Sequence, residues 1–177
     1  MIYKEHLMNL HSLITTMQSH AETIRSLTAN ISGDQARWKP SAETWSLIEV
    51  ICHLYDEERE DFRVRLDYIL HKPGETWPKI DPQGWIKDRD YASRDLVAVI
   101  AQWSAERENS IAWFKTLESA NWDQAAIAPW GGELRAGDML ASWVAHDMLH
   151  MRQLVELHWA WHQHVIDPYS SGYAGDW

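Results

Sequence analysis

Apolar residues recur along this chain at the three-and-four spacing of an α-helix. Leu7, Leu10, Ile14, Met17, Ala21 and Ile24 fall on one stripe and predict a first helix over roughly 3–29. Gly33 and Pro40 punctuate the segment after it. Ser46 and Glu49 have the spacing of a capping box, and Trp45 and Val50 are placed for a hydrophobic staple. Leu47, Ile51, Leu54, Phe62, Leu66 and Ile69 then mark a second helix to about Leu70, stopped by Pro73 and Gly74. Leu96, Ile100, Trp103, Ile111, Phe114 and Leu117 mark a third helix from near Ser93. Leu140, Val144, Met151, Leu154 and Val155 mark a fourth, over about 136–163. No segment alternates apolar and polar residues convincingly, so no strand is predicted. The connections 71–92 and 119–135 read as irregular. The expected fold is all-α: a four-helix bundle with long connections over residues 1–166, and a C-terminal tail over 167–177.

Composition narrows the function. The chain has 177 residues, one domain's worth, and 45% are hydrophobic, enough for a packed core. Its net charge of −10, with no basic block, argues against a nucleic-acid partner. A single cysteine, Cys52, excludes an internal disulfide and reads as a small buried apolar group. No apolar run approaches a membrane span, and the opening residues lack the apolar core of a signal peptide. A soluble, cytoplasmic protein is expected. Twelve tryptophans and ten histidines stand out. Trp77, Trp85 and Trp130 lie on connections and, with Trp143, are candidates to line a pocket.

The histidines supply the candidate chemistry. His146 and His150 are four apart on the fourth helix, one turn above each other, where they can share a metal ion. The helical wheel puts them on the flank of the apolar face, beside Trp143 and Leu154. His158 and His162 form a second such pair, but His158 falls near the centre of the apolar face and reads as a core histidine. A catalytic site needs a third ligand from another helix and an open position. His53 leads, with Asp56 and Glu57 one turn on as candidate bases, although the wheel sets His53 off-centre and half-exposed. Asp147 and Gln153 are placed to orient a ligand histidine. Glu58 and Arg107 fall on apolar faces of different helices, so they should pair, with Arg65 nearby.

The order of motifs resembles the DinB-like family. The residues that carry it are Trp38-Lys39-Pro40, Thr44 to Glu49, His53-Leu54, Glu58 and Arg59, then His146-Asp147-x-x-His150-x-x-Gln153. The resemblance spans about residues 5–160. It implies an up-up-down-down bundle, often a homodimer, and a divalent metal, nickel or zinc, held by His53, His146 and His150. It also implies a metal-dependent enzyme, and a thiol-dependent transferase acting on a small molecule with a low-molecular-weight thiol as cosubstrate is the expectation. A metal-dependent hydrolase and a non-catalytic, metal- or small-molecule-binding dimeric bundle are the alternatives.

Overall fold

The computed structural model describes residues 9–177. Leu7 and the start of the expected first helix lie outside them. Helix α1 is Leu10–Leu27, begun by Asn9, whose side chain accepts the Ser12 backbone N–H at 2.9 Å. A short helix, α2 (Gly33–Arg37), precedes α3 (Leu47–Asp56). The capping box forms: the Ser46 N–H donates to Glu49 Oε2 at 2.7 Å, and Ser46 Oγ lies 3.0 Å from the same oxygen. The helix then widens into a π-turn over Glu57–Phe62 and continues as α4 (Arg63–His71). Together these three segments are the expected second helix.

The connection after α4 is more ordered than expected. It contains α5 (Pro82–Asp88), with Asp81 at its cap and Pro82 in its first turn, and a 3-10 turn at Tyr91–Ser93. Helix α6 is Leu96–Phe114. The 119–135 connection carries a hairpin, correcting the expectation of no strand: β1 (Ala125–Ile127) pairs antiparallel with β2 (Glu133–Arg135), Ala126 opposite Leu134. Gly131 and Gly132 both have φ near +88° and make its turn, where a side chain would be strained. The final helix, α7, is Ala136–Ile166.

Helix α1 packs on α6 and α7, and the long second helix packs on the same two from the opposite corner. Residue pairs give the directions. His20 meets Asp147 and Leu27 meets His158, so α1 and α7 run the same way. His53 meets His150 while Phe62 meets Trp143, so α3–α4 run against α7. Arg107 reaches Glu58 and Glu106 reaches Arg63, and the lower core joins Phe114 to Ile69 while the upper joins Trp103 to Ile51, so α6 runs with α3–α4. Around the bundle the helices therefore read up, up, down, down; along the chain they read up, down, down, up. Neighbours that run parallel need a crossover as long as the helix itself, which is what residues 72–95 provide.

Two apolar clusters fill the bundle. One joins Ile14, Met17, Leu66, Ile69, Phe114, Leu140 and Trp143; the other joins Ile24, Leu47, Ile51, Val99, Trp103 and Leu154. Val155 is not part of either: it is 37% exposed, and Leu157 takes the buried place. The buried arc of α7 is centred near Asp147, where an ion network occupies its middle. The tail docks through Trp177, which stacks on Trp159 at 4.9 Å, while Tyr169 and Tyr173 stay exposed.

Candidate metal centre

Antiparallel packing of α3 and α7 brings three histidines together. His53 Nε2 lies 3.3 Å from His146 Nε2, which lies 3.0 Å from His150 Nε2. Zinc–imidazole bonds of about 2.0–2.1 Å place ligand nitrogens roughly 2.9–3.4 Å apart in tetrahedral or octahedral shells, so these spacings fit one ion. Among the described residues this is the one group of three histidine, cysteine or acidic side chains so convergent. His53 is 6% exposed, which corrects the half-exposed placement given by the wheel; His146 and His150 are half-buried.

Burial keeps the cluster neutral. Desolvation, with His150 and His146 as like charges, lowers His53 from its ordinary value to about 2. Desolvation chiefly, then His150, lowers His146 to about 3, and burial lowers His150 as well. Three neutral rings then bring their Nε2 atoms together, where a proton on one of them or a shared cation must lie between the lone pairs. Gln153 fixes one tautomer: its Oε1 lies 2.8 Å from His150 Nδ1, which therefore donates and leaves Nε2 bare.

The other residues singled out in the sequence sort by position. Asp147 does not orient a ligand histidine. It pairs with Arg107 at 2.7 and 2.8 Å and meets His20 Nδ1 at 3.3 Å. Glu58 does pair with Arg107, at 2.8 and 2.7 Å, and also accepts Trp143 Nε1–H at 3.1 Å. Arg65 is not in that network; its Nε lies 2.6 Å from Asp61 Oδ1. Asp56 is poorly placed to act as a base, because Tyr91 OH donates to it at 2.6 Å and Arg59 and Arg89 pair with it at 2.8 Å each. Glu57 sits behind His53, its Oε1 3.9 Å from Nδ1, and desolvation with Asp61 alongside raises it to about 9. Cys52 is buried, its thiol pushed up to about 12 by desolvation, so it is inert.

The aromatic candidates divide differently. Trp77 and Trp85 are buried in the two cores, and Trp130 is 63% exposed on the hairpin turn. Trp77 lines a cleft of about 500 Å³ with Gly74, Ala125 and Pro129, which holds none of the three histidines. The rings beside the cluster are two that sequence reasoning missed as pocket residues. Trp45 is 4.9 Å from the His53 ring and stacks parallel to His150 at 6.4 Å, and Phe62 is 4.9 Å from His146. Trp143 reaches the site only by stacking behind Phe62, at 5.6 Å. Trp45 was visible as the residue before the helix cap, which puts it two turns from His53. Phe62 closes the π-turn, where helical phase alone misplaces it.

No curated protein sequence matches this chain. Among solved structures it is similar to YfiT from Bacillus subtilis, described as a probable metal-dependent hydrolase with an unusual four-helix bundle topology. That match has a TM-score of 0.76 at 16% identity and covers 89% of this chain and 91% of that one. It is also similar to the mycothiol-dependent maleylpyruvate isomerase, with a TM-score of 0.67 at 11% identity, over 83% of this chain but only 61% of that one. At these identities the likeness is one of fold. No helix of the described residues is long and apolar enough to cross a membrane. The sequence model of the DinB superfamily matches residues 16–154, most of the chain, and the protein belongs to that superfamily.

Proposed function

We propose that this protein is a divalent-metal-dependent enzyme acting on a small molecule, with His53, His146 and His150 as the metal ligands. The observation that carries the proposal is the convergence of three neutral imidazoles, His146 Nε2 lying 3.3 Å from His53 Nε2 and 3.0 Å from His150 Nε2, with a ligand atom of each within 4.8 Å of the others. An all-imidazole set suits zinc or nickel. Three protein ligands leave positions open, the mark of a catalytic rather than a structural site. A divalent ion bound there supplies Lewis-acid activation of water or a thiol near neutral pH.

The chain's own groups do the rest. Gln153 holds the His150 ring by its Nδ1–H, and the Trp45 and Phe62 rings wall the cluster and restrict water on their sides. The half-buried His146 and His150 leave a way in for a small molecule. Neither Asp56, tied up by three donors, nor Glu57, behind His53, faces the open side as a base. A nucleophile acidified at the site itself needs no such base, and a thiol meets that condition more easily than water. A thiol-dependent transferase is therefore favoured over a hydrolase, with a low-molecular-weight thiol as cosubstrate and a cytoplasmic homodimer as the working form.

Elemental analysis of untagged protein tests the site. Near-stoichiometric zinc or nickel is expected in the wild type and not in His53→Ala or His150→Ala. Loaded protein should then consume a small electrophile only when a thiol is added. Wild-type protein that takes up neither metal would sink the proposal. Turnover with water alone would shift it to a hydrolase.

A further inference from the structure

His53, Glu57, Asp61 and Arg65 are four apart in sequence and line one side of the long second helix. In an unbroken α-helix a fourfold spacing drifts steadily around the axis. The π-turn at Glu57–Phe62, with its i→i+5 bonding, slows that drift and keeps the four together. Arg65 is the anchor: its guanidinium lies over the Trp130 ring at 5.0 Å and the Trp77 ring at 5.6 Å, and its Nε is 2.6 Å from Asp61 Oδ1. Asp61 is also the neighbour that, after desolvation, raises the Glu57 carboxyl. Glu58, the next residue, points the other way, to Arg107.

Four side-chain atoms of the row are buried without a well-formed hydrogen bond: Arg65 Nε and Asp61 Oδ1, which face each other at 2.6 Å as an ion pair, and the two at its other end. His53 Nδ1 and Glu57 Oε1 are both buried, and neither has a hydrogen-bond partner among the described residues. They lie 3.9 Å apart, too far for a hydrogen bond. Buried polar atoms without partners are rare and costly, and here each is the other's available complement.

We propose that Glu57 is a positioning residue: held by Asp61 and Arg65, it accepts the Nδ1–H of His53 and keeps the Nε2 lone pair aimed at His146 and His150. It does for His53 what Gln153 does for His150. The role of His53 as a ligand rests on the proposed metal site; the tautomer does not.

The test uses two readouts. Nitrogen NMR of metal-free protein should show His53 protonated on Nδ1 in the wild type. It should stay so in Glu57→Gln, whose amide oxygen accepts from Nδ1–H while its NH₂ donates to Asp61. It should become a mixture or shift to Nε2–H in Glu57→Ala. Chelator competition with zinc should show Glu57→Ala weakened about 10- to 100-fold, with one ion per chain retained. Glu57→Gln should lie within about threefold of wild type, as expected where both hydrogen bonds survive. A wild-type His53 protonated on Nε2 would overturn the idea without any variant, so it stays falsifiable even if Glu57→Ala does not fold. A Glu57→Ala protein with wild-type tautomer and affinity would overturn it too. Wild-type protein that binds no zinc would instead remove the proposed function, and the tautomer comparison would still decide the role of Glu57.

Discussion

At the scale of single residues, burial decides what the histidines can do. Exposed imidazoles titrate near 6.5, whereas His53 and His146 are held down to about 2 and 3. A depressed basic group binds fewer protons folded than unfolded. Stability from its neutral form is therefore complete above the unfolded value of 6.5 and drains away as pH falls toward the folded value. In metal-free protein, urea midpoints should fall between pH 7 and pH 5. His53→Asn cannot titrate, so its loss over that range should be smaller than wild type's by about 1–2 kcal/mol. Parallel curves for the two proteins would contradict the depressed value. The spacing of His146 and His150 was legible in the sequence because ligands on one helix obey a fixed period. The placement of His53 was not, since its burial comes from Trp45 and α7 rather than from its own stripe. Asp147 was legible as a polar residue with a part to play beside the ligand pair, but not what it meets there. His20 and Arg107 arrive from two other helices, and nothing in the period of α7 encodes them.

At the scale of elements, the long second helix and its partners turn on the buried Arg107. This one guanidinium joins Glu58 of the π-turn to Asp147 of α7 and reaches the Met17 carbonyl of α1 at 3.4 Å. Removing it leaves two carboxylates buried without a counter-charge. Arg107→Met should cost roughly 3–5 kcal/mol in urea unfolding. Arg152→Ala, which breaks an exposed pair with Glu156, should stay within about 0.5 kcal/mol. Equal effects would mean the buried network contributes little. The helix start offers a milder test: Ser46→Ala removes half of the capping box and should cost about 1 kcal/mol by the same assay. The cap was readable because Ser and Glu three apart have a local mechanism. The π-turn was not, because the residues it buries (Glu57, Glu58 and Asp61) are charged, and a hydrophobic period is silent where burial is polar. The hairpin escaped for a different reason: strands of three residues are too short to show alternation, and only Gly131 and Gly132 announced the turn.

At the scale of the whole molecule, topology and site are one problem. Four amphipathic stripes imply a bundle but do not say which helices are neighbours. The parallel pairing of α3–α4 with α6 forces the crossover at 72–95, and sets the second helix antiparallel to α7 with α1 on the far corner. That arrangement puts His53 opposite His146 and His150. A bound ion would thus cross-link two helices some ninety residues apart in sequence, and the unfolded chain has no comparable site. Ligand binding to the folded state alone stabilises it by RT ln(1 + [L]/Kd), about 2.7 kcal/mol at a hundredfold excess over Kd. For a chain of this size each kcal/mol moves the melting temperature by about 2–4 °C, so saturating zinc should raise it by roughly 5–10 °C. The rise should vanish in His150→Ala and in His53→Ala alike, because either loss uncouples α3 from α7. It should persist in His162→Ala, whose exposed side chain lies outside the cluster. A rise that survives in His53→Ala but not in His150→Ala would mean that the ion sits on α7 alone. The bundle would then be stable without a bridge, and the convergence of the three rings would be a product of packing rather than of ligation.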